Sequence, residues 1–249
     1  MDKTTLYRAI DAYCKEKNAS GLALKTVMFD MDGVLFDSMP YHARSWNRAM
    51  ADFGLDLPVD EAFTHEGRTG AGTIGIVTRR QLGRETSEEE CKRIYARKSE
   101  YFNQFPEARR MPGAFETVSE VKRCGATPIV VTGSGQVSLL ARLEKNFPGL
   151  FKADWMVCAK DVKYGKPNPE PYLMGMKKAG IENVWETMVV ENAPLGVEAG
   201  HKAGCFVVAV NTGPLPDELL VNAGANLLFH SMEELSKWIS VIFGLPAAP

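Results

Sequence analysis

Leu24-Lys25-Thr26-Val27-Met28-Phe29-Asp30-Met31-Asp32-Gly33-Val34-Leu35-Phe36-Asp37-Ser38 is the stretch on which the reading of this chain turns. Its first six residues, Lys25 apart, are apolar or β-branched and predict a strand. That strand runs straight into two acids and a glycine. Runs of the same kind recur at 127–131, 155–157, 187–190, 205–210 and 225–229. Between them lie helical patterns at 114–123, 137–145, 171–179, 194–203 and 233–243. Short apolar strands alternating with helices predict an α/β fold, a Rossmann-like parallel sheet covered on both faces. Before the first strand, Leu6, Ala9, Ile10 and Tyr13 stand at helical spacing, predicting a short amphipathic helix that ends at 18–21.

One connection is out of proportion. A parallel crossover needs a dozen or so residues, yet Asp30 to Thr127 spans far more, a surplus of ~70 by that standard. Helical patterns at 41–53, 73–82 and 87–102 fill the surplus and predict an all-helical subdomain inserted after the first strand. The expected organisation is an N-terminal helix at 1–21, a core at 22–39 and 109–249, and a helical insertion at 40–108. Gly70-Ala71-Gly72-Thr73-Ile74-Gly75 spells Gly-x-Gly-x-x-Gly. No strand precedes it, so it is not a dinucleotide-binding turn.

Composition narrows the class. The 249 residues are 45% hydrophobic and 24% charged, as in ordinary soluble globular chains, so disorder is excluded. With 29 basic against 31 acidic residues, the chain lacks the basic field that nucleic acid or an acidic membrane would require. Five scattered cysteines form no Cys-x-x-Cys pair, which suits a reducing compartment and argues against a zinc knuckle. No run of 18 apolar residues and no signal-peptide core occurs. The expectation is a cytoplasmic monomer that binds a small molecule.

In an open parallel sheet, ligands bind at the carboxyl ends of the strands. After the first strand, Asp30 and Asp32 are two apart in extended chain and can face one pocket. Such crowding is unfavourable unless a cation or a shared proton offsets it. A plain turn-forming loop is the alternative reading. After the second strand, Thr132-Gly133-Ser134-Gly135 offers a hydroxyl and exposed N–H groups for an anionic oxygen, or equally a helix cap. After the third, Lys166 in Lys163-Tyr164-Gly165-Lys166-Pro167 is either a point charge for phosphate or solvated. After the fourth, Glu191-Asn192 supplies an acid and an amide for a hard metal such as Mg²⁺.

Taken together in sheet order, these motifs resemble those of the haloacid dehalogenase superfamily of phosphotransferases, and within it the β-phosphoglucomutase-like subfamily with a helical cap. The resemblance runs from about Lys25 to the C-terminus. It implies a core sheet of order 5-4-1-2-3 and a cap between Pro40 and about Ala108. It also implies that Asp30 is the nucleophile and Asp32 the general acid and base. Thr132 and Lys166 would hold phosphoryl oxygens, with Gly133, Ser134, His42, Gly67 and Arg68 around the substrate. Mg²⁺ would sit on Asp30, the Asp32 backbone carbonyl and the Glu191/Asn192 region.

Three positions depart from that pattern. The second acid of the fourth motif is Asn192. The cap position where the mutase carries a distal-phosphate arginine is Gly70, and its lysine before the cap glycine is Glu66. Glu66 would restore near the metal the negative charge that Asn192 removes, leaving little room for a hexose; a solvated loop glutamate is the other reading. His65, His201 and His230 lack metal-ligand spacing and are expected to be structural or solvated. The expectation is therefore a Mg²⁺-dependent hydrolase of a small phosphorylated substrate, with inorganic pyrophosphate the sharpest candidate. A β-phosphoglucomutase-type isomerase is the alternative. A non-catalytic phosphate binder is a remote one, since a pure binder needs no acid beside a nucleophile.

Overall fold

The computed structural model describes residues 1–133 and 139–244. Its sheet is built from β1 (Thr26–Phe29), β2 (Thr127–Val131), β3 (Met156–Val157), β4 (Thr187–Glu191), β5 (Phe206–Val210) and β6 (Leu227–Phe229). All neighbours pair in parallel, in the order β3-β2-β1-β4-β5-β6. The five-strand order implied by the resemblance is present, and β6 extends it beyond β5. The residues of β1, β4 and β5 are buried throughout, as strands covered on both faces must be.

Helix α1 (Lys3–Lys17) buries Leu6, Ile10, Tyr13 and Cys14 against the core. The Tyr13 hydroxyl donates to the Gly204 carbonyl at 2.8 Å, and its ring meets Phe206 edge-on. Four helices follow β1 and form the insertion: α2 (Met39–Asp52), α3 (Val59–Thr64), α4 (Gly70–Leu82) and α5 (Glu88–Phe102). They enclose an apolar cluster of their own, including Met50, Leu57, Phe63, Ile74, Val77 and Ile94. Helix α3 was not expected: six residues are too few for periodicity to show. The Gly-x-Gly-x-x-Gly stretch lies within α4.

Two backbone segments carry this insertion and pair with each other. The Asp37 N–H donates to the Arg109 carbonyl and the Met111 N–H to the Leu35 carbonyl, both at 2.9 Å. Helices α6 (Ala114–Arg123), α7 (Leu139–Asn146), α8 (Glu170–Ala179), α9 (Pro194–Lys202) and α10 (Asp217–Asn222) follow in turn. The expected helix at 233–243 is two, α11 (Met232–Ser236) and α12 (Ile239–Gly244). The start of the helix expected at 137 falls outside the described residues. All five cysteines are free, and no helix among the described residues is long and apolar enough to cross a membrane.

Candidate active site

Register places the first functional groups. Phe29 stands level with Val130 and Val190, so the carboxyl ends of β1, β2 and β4 finish together. Asp30 and Thr132 therefore open onto one cleft, with the buried Glu191–Asn192 pair next to them. Thr132 and Gly133 line it with Asp30; Ser134, expected beside them, lies outside the described residues. Gly33, at φ +81°, turns the chain sharply after Asp32. A Cβ there would come within 2.0 Å of Asn192 Nδ2, so only glycine lets the two loops meet.

Lys166, 3% exposed, reaches in from the loop before α8. Its ammonium donates to Asp30 Oδ1, to Glu191 Oε1 at 2.5 Å and to the Val131 carbonyl at 3.1 Å. All three of its donors are used. Burial alone would lower its pKa, but Asp30 and Glu191 outweigh burial and hold it above the usual lysine range, firmly charged. Burial pushes the Asp30 carboxyl up; Lys166 opposes this, while Glu191 and Asp32 add to it.

Glu191, expected near the metal, also holds a network of donors. Its Oε1 also accepts from the Tyr172 hydroxyl at 2.6 Å. Its Oε2 accepts from the backbone N–H groups of Asn192 at 3.0 Å and Ala193 at 3.3 Å. A carboxylate has about four lone-pair sites, and four donors fill them. Glu191 thus positions Lys166. The close approach depends on Gly196, where a Cβ would fall 1.8 Å from Glu191 Oε1.

Asp32 faces a second set of partners. Its Oδ1 accepts from the Ser38 hydroxyl at 2.5 Å, and His42 Nε2 lies 3.4 Å away. Burial would raise its pKa, but His42 and Ser38 overcome this and hold the carboxyl below the usual range. His42 Nδ1 is 2.7 Å from the ammonium of Lys98. An ammonium can only donate, so Nδ1 accepts and the ring proton sits on Nε2, toward Asp32. Phe102 stacks on the imidazole at 4.2 Å between centroids. Lys98 escaped the sequence reading, although Ile94, Lys98 and Tyr101 recur along the buried face of α5, and a lysine on an apolar stripe is a signal.

Burial pushes Lys98 down to about 8. The unfolded chain therefore binds the extra proton between about pH 8 and the ordinary lysine value, and stability rises with pH across that window. The penalty is fully present below pH 8. Lys98→Met should stabilise the fold at pH 7 by ~1–3 kcal/mol, with the difference fading toward pH 10.5. Activity should fall, because the imidazole loses the group that sets its tautomer. Urea denaturation of both proteins at pH 7 and pH 10 checks this; a pH-independent difference would refute it.

The helical insertion contributes a loop after α3. Glu66 Oε1 accepts from Asn192 Nδ2 at 2.9 Å, so the insertion's carboxylate meets the fourth strand's amide directly. Burial, then Asp30, Glu191 and Asp32, push the Glu66 carboxyl well above its ordinary range against the Asn192 hydrogen bond. Gly67, at φ +80°, packs its backbone against Lys166, where a Cβ would come within 3.2 Å of the side chain. Arg68 lines the cleft, but its buried Nε has no hydrogen-bond partner among the described residues. His65 lies 3.4 Å from Glu61, outside the acid cluster. The cleft, open to solvent on one side, offers about 100 Å³. That is far below the ~300–1,000 Å³ of pockets for drug-sized ligands.

These residues fit a divalent cation. The Asn192 Oδ1 atom is buried without a hydrogen-bond partner among the described residues. Asp30 and Glu66 are both pushed up by crowded negative charge that Lys166 alone does not offset. Among the described residues no three His, Cys, Asp or Glu side chains are gathered as a metal cluster. A site of one or two carboxylates with amide, backbone and water oxygens is what Mg²⁺ accepts.

Nucleophile-type acid, second acid, buried lysine and helical insertion define a class of phosphoryl-transfer enzyme, and comparison with known proteins agrees. The haloacid dehalogenase-like hydrolase family profile matches residues 27–210, and the chain belongs to this family. Hexitol phosphatase A of Escherichia coli K12 is 32% identical over 213 residues, 85% of this chain and 93% of its own. The phosphorylated carbohydrates phosphatase of Thermotoga maritima is 30% identical over 224 residues, 86% of this chain and 97% of its own. A Bacteroides vulgatus structure, provisionally named a beta-phosphoglucomutase, is 54% identical. It superposes with a TM-score of 0.94 over 98% of this chain and 100% of that one. The protein is an enzyme of the phosphatase or phosphotransferase kind.

Proposed function

We propose that the protein is a Mg²⁺-dependent hydrolase of small phosphorylated substrates, inorganic pyrophosphate foremost, acting through an aspartyl phosphate on Asp30. The observation that carries this is Glu66: its carboxylate stands 2.9 Å from the Asn192 amide and leaves a cleft of about 100 Å³. A carboxylate at that place repels phosphate unless a cation lies between, and it narrows the cleft in favour of a compact substrate. In this reading residues 40–108 are the cap, 22–39 and 109–249 the core, and 1–21 an added helix.

The chemistry follows from the groups in place. An Asp30 oxygen attacks phosphorus, and the P–O bond to the leaving phosphate breaks with its electron pair on that phosphate. Water then attacks the phosphorus and gives a proton to the Asp32 carboxylate, which His42 and Ser38 hold toward the cleft; the P–O bond to Asp30 breaks, its carboxylate is restored, and Asp32 passes the proton to the next leaving phosphate. One water is consumed and two phosphates leave. Thr132 and the Lys166 ammonium stabilise the equatorial oxygens. Asp30, Asn192, Glu66 and the Asp32 carbonyl would hold Mg²⁺, which supplies charge neutralisation to the phosphoryl oxygens.

A panel of pyrophosphate, hexitol phosphate and β-glucose 1-phosphate with Mg²⁺ tests the reading. Pyrophosphate should show the highest kcat/KM. Conversion of β-glucose 1-phosphate to glucose 6-phosphate without phosphate release would overturn it in favour of the mutase, the alternative that the Bacteroides vulgatus likeness supports. Glu66→Ala should weaken Mg²⁺ binding by roughly 10–100-fold and depress pyrophosphate turnover with it. Calorimetric Mg²⁺ titration alongside the kinetics checks this; unchanged affinity would remove Glu66 from the metal site.

A further inference from the structure

Three groups on the helical insertion face the acids across the cleft without taking part in the steps above: Trp46 on α2, Gly70 at the start of α4 and Tyr95 on α5. They are packed in a particular way. Atoms Cδ2 and Cε2 of Tyr95 lie 2.4 and 2.6 Å from the place a Cβ on Gly70 would occupy. The phenol ring therefore rests directly on the Gly70 backbone, in space any other residue at position 70 would need for itself. Trp46 is 6.1 Å from the ring and the Lys98 ammonium 5.9 Å. Tyr95 is nevertheless 43% exposed, so the same ring that lines the cleft also faces solvent. A side chain in that position stands at the mouth.

We infer that Tyr95, seated on Gly70, is a specificity-determining residue that limits the cleft to phosphates without a bulky organic group. The inference rests on the small-substrate reading above and names the wall that enforces it. Phosphate bound near Asp30 projects its remaining atoms away from the core toward α4 and α5. A second phosphate is compact and carries charge that Lys98 offsets. A polyol or sugar chain instead meets the ring, which is pinned on one side by Gly70 and bounded on the other by Trp46. Size selection by such a wall is steric: the excluded substrate loses both binding and turnover.

The test is a size series, glycolate, glycerol and hexitol phosphates plus pyrophosphate, assayed for wild type, Tyr95→Ala and Tyr95→Phe. Tyr95→Ala should raise kcat/KM for hexitol phosphate relative to glycolate phosphate by about tenfold or more. Tyr95→Phe, which keeps the ring, should retain the wild-type ratio. A Tyr95→Ala ratio within about twofold of wild type, in a protein with an intact thermal midpoint, overturns the inference. If wild type prefers small esters but spares pyrophosphate, the pyrophosphate reading fails while a Tyr95→Ala shift still supports the wall. A wild type indifferent to size overturns both. The packing is checked separately: Gly70→Ala should lower the melting midpoint in wild type and not in Tyr95→Ala, where the methyl has room. Equal effects in both backgrounds would mean that the ring does not rest there, and would also overturn the inference.

Discussion

Asp30→Asn should abolish turnover of every phosphate substrate, by about 10⁴-fold or more, while the protein stays folded. The amide oxygen can still accept from Lys166, so the substitution strands no buried donor. What it removes is the nucleophile. Acid quench during turnover should trap phosphoprotein in wild type and none in the variant. A loss smaller than about tenfold, or phosphoprotein in Asp30→Asn, would move the nucleophile elsewhere.

Lys166→Met should be the most damaging single change to stability. It leaves Asp30 and Glu191, 6% and 1% exposed, facing each other without the ammonium that now bridges them. Breaking a buried pair from one side costs ~3–5 kcal/mol, because the remaining charges stay desolvated. The pH dependence gives the signature. Without Lys166 nothing opposes the burial that pushes the Asp30 carboxyl up, so the folded state binds more protons than the unfolded one and stability falls as pH rises. Part of the loss should return on acidification from pH 7 to pH 5, and Lys166→Met/Glu191→Gln should recover part of it at pH 7. Urea denaturation across pH reads both; a loss that neither acid nor the second substitution relieves would mean packing, not charge, is responsible.

The sheet was legible because its strands are short, nearly continuous apolar runs, and Asp30 with Asp32 because a two-residue spacing in extended chain has one geometric meaning. The strand-end motifs could be ordered along the sheet for the same reason. Other parts depended on the third dimension. Glu191 reads as a metal ligand in sequence; only the arrival of Lys166 from a distant loop and Tyr172 from α8 shows that it also anchors the buried ammonium. Lys98 gains its meaning from His42, 56 residues earlier. Glu66 was conspicuous as a charge in an unexpected place, yet its approach to Asn192 depends on how four short helices pack. Tyr95 gave no signal at all, since an aromatic on a helix reads as core. Helix α3 and the break between α11 and α12 fall below the length at which periodicity speaks.

The packing of α1 has a consequence for how the chain becomes a protein. Leu6, Ile10, Tyr13 and Cys14 share one apolar cluster with Met232, Leu235, Ile239 and Ile242, and the first amino group lies 3.4 Å from Glu234, 233 positions away. Helix α1 must therefore wait for β5, far along the chain, before its greasy side is sheltered, since Tyr13 packs on Phe206 and bonds the Gly204 carbonyl. Contacts of such long sequence separation form late, after the entropy of a very large loop has been overcome. During translation α1 remains a sticky amphipathic segment in search of a partner, the kind of surface that chaperones shield and that aggregates at high concentration. The sheet sets the order of the segments between; α1 joins the fold only after β5 has been made.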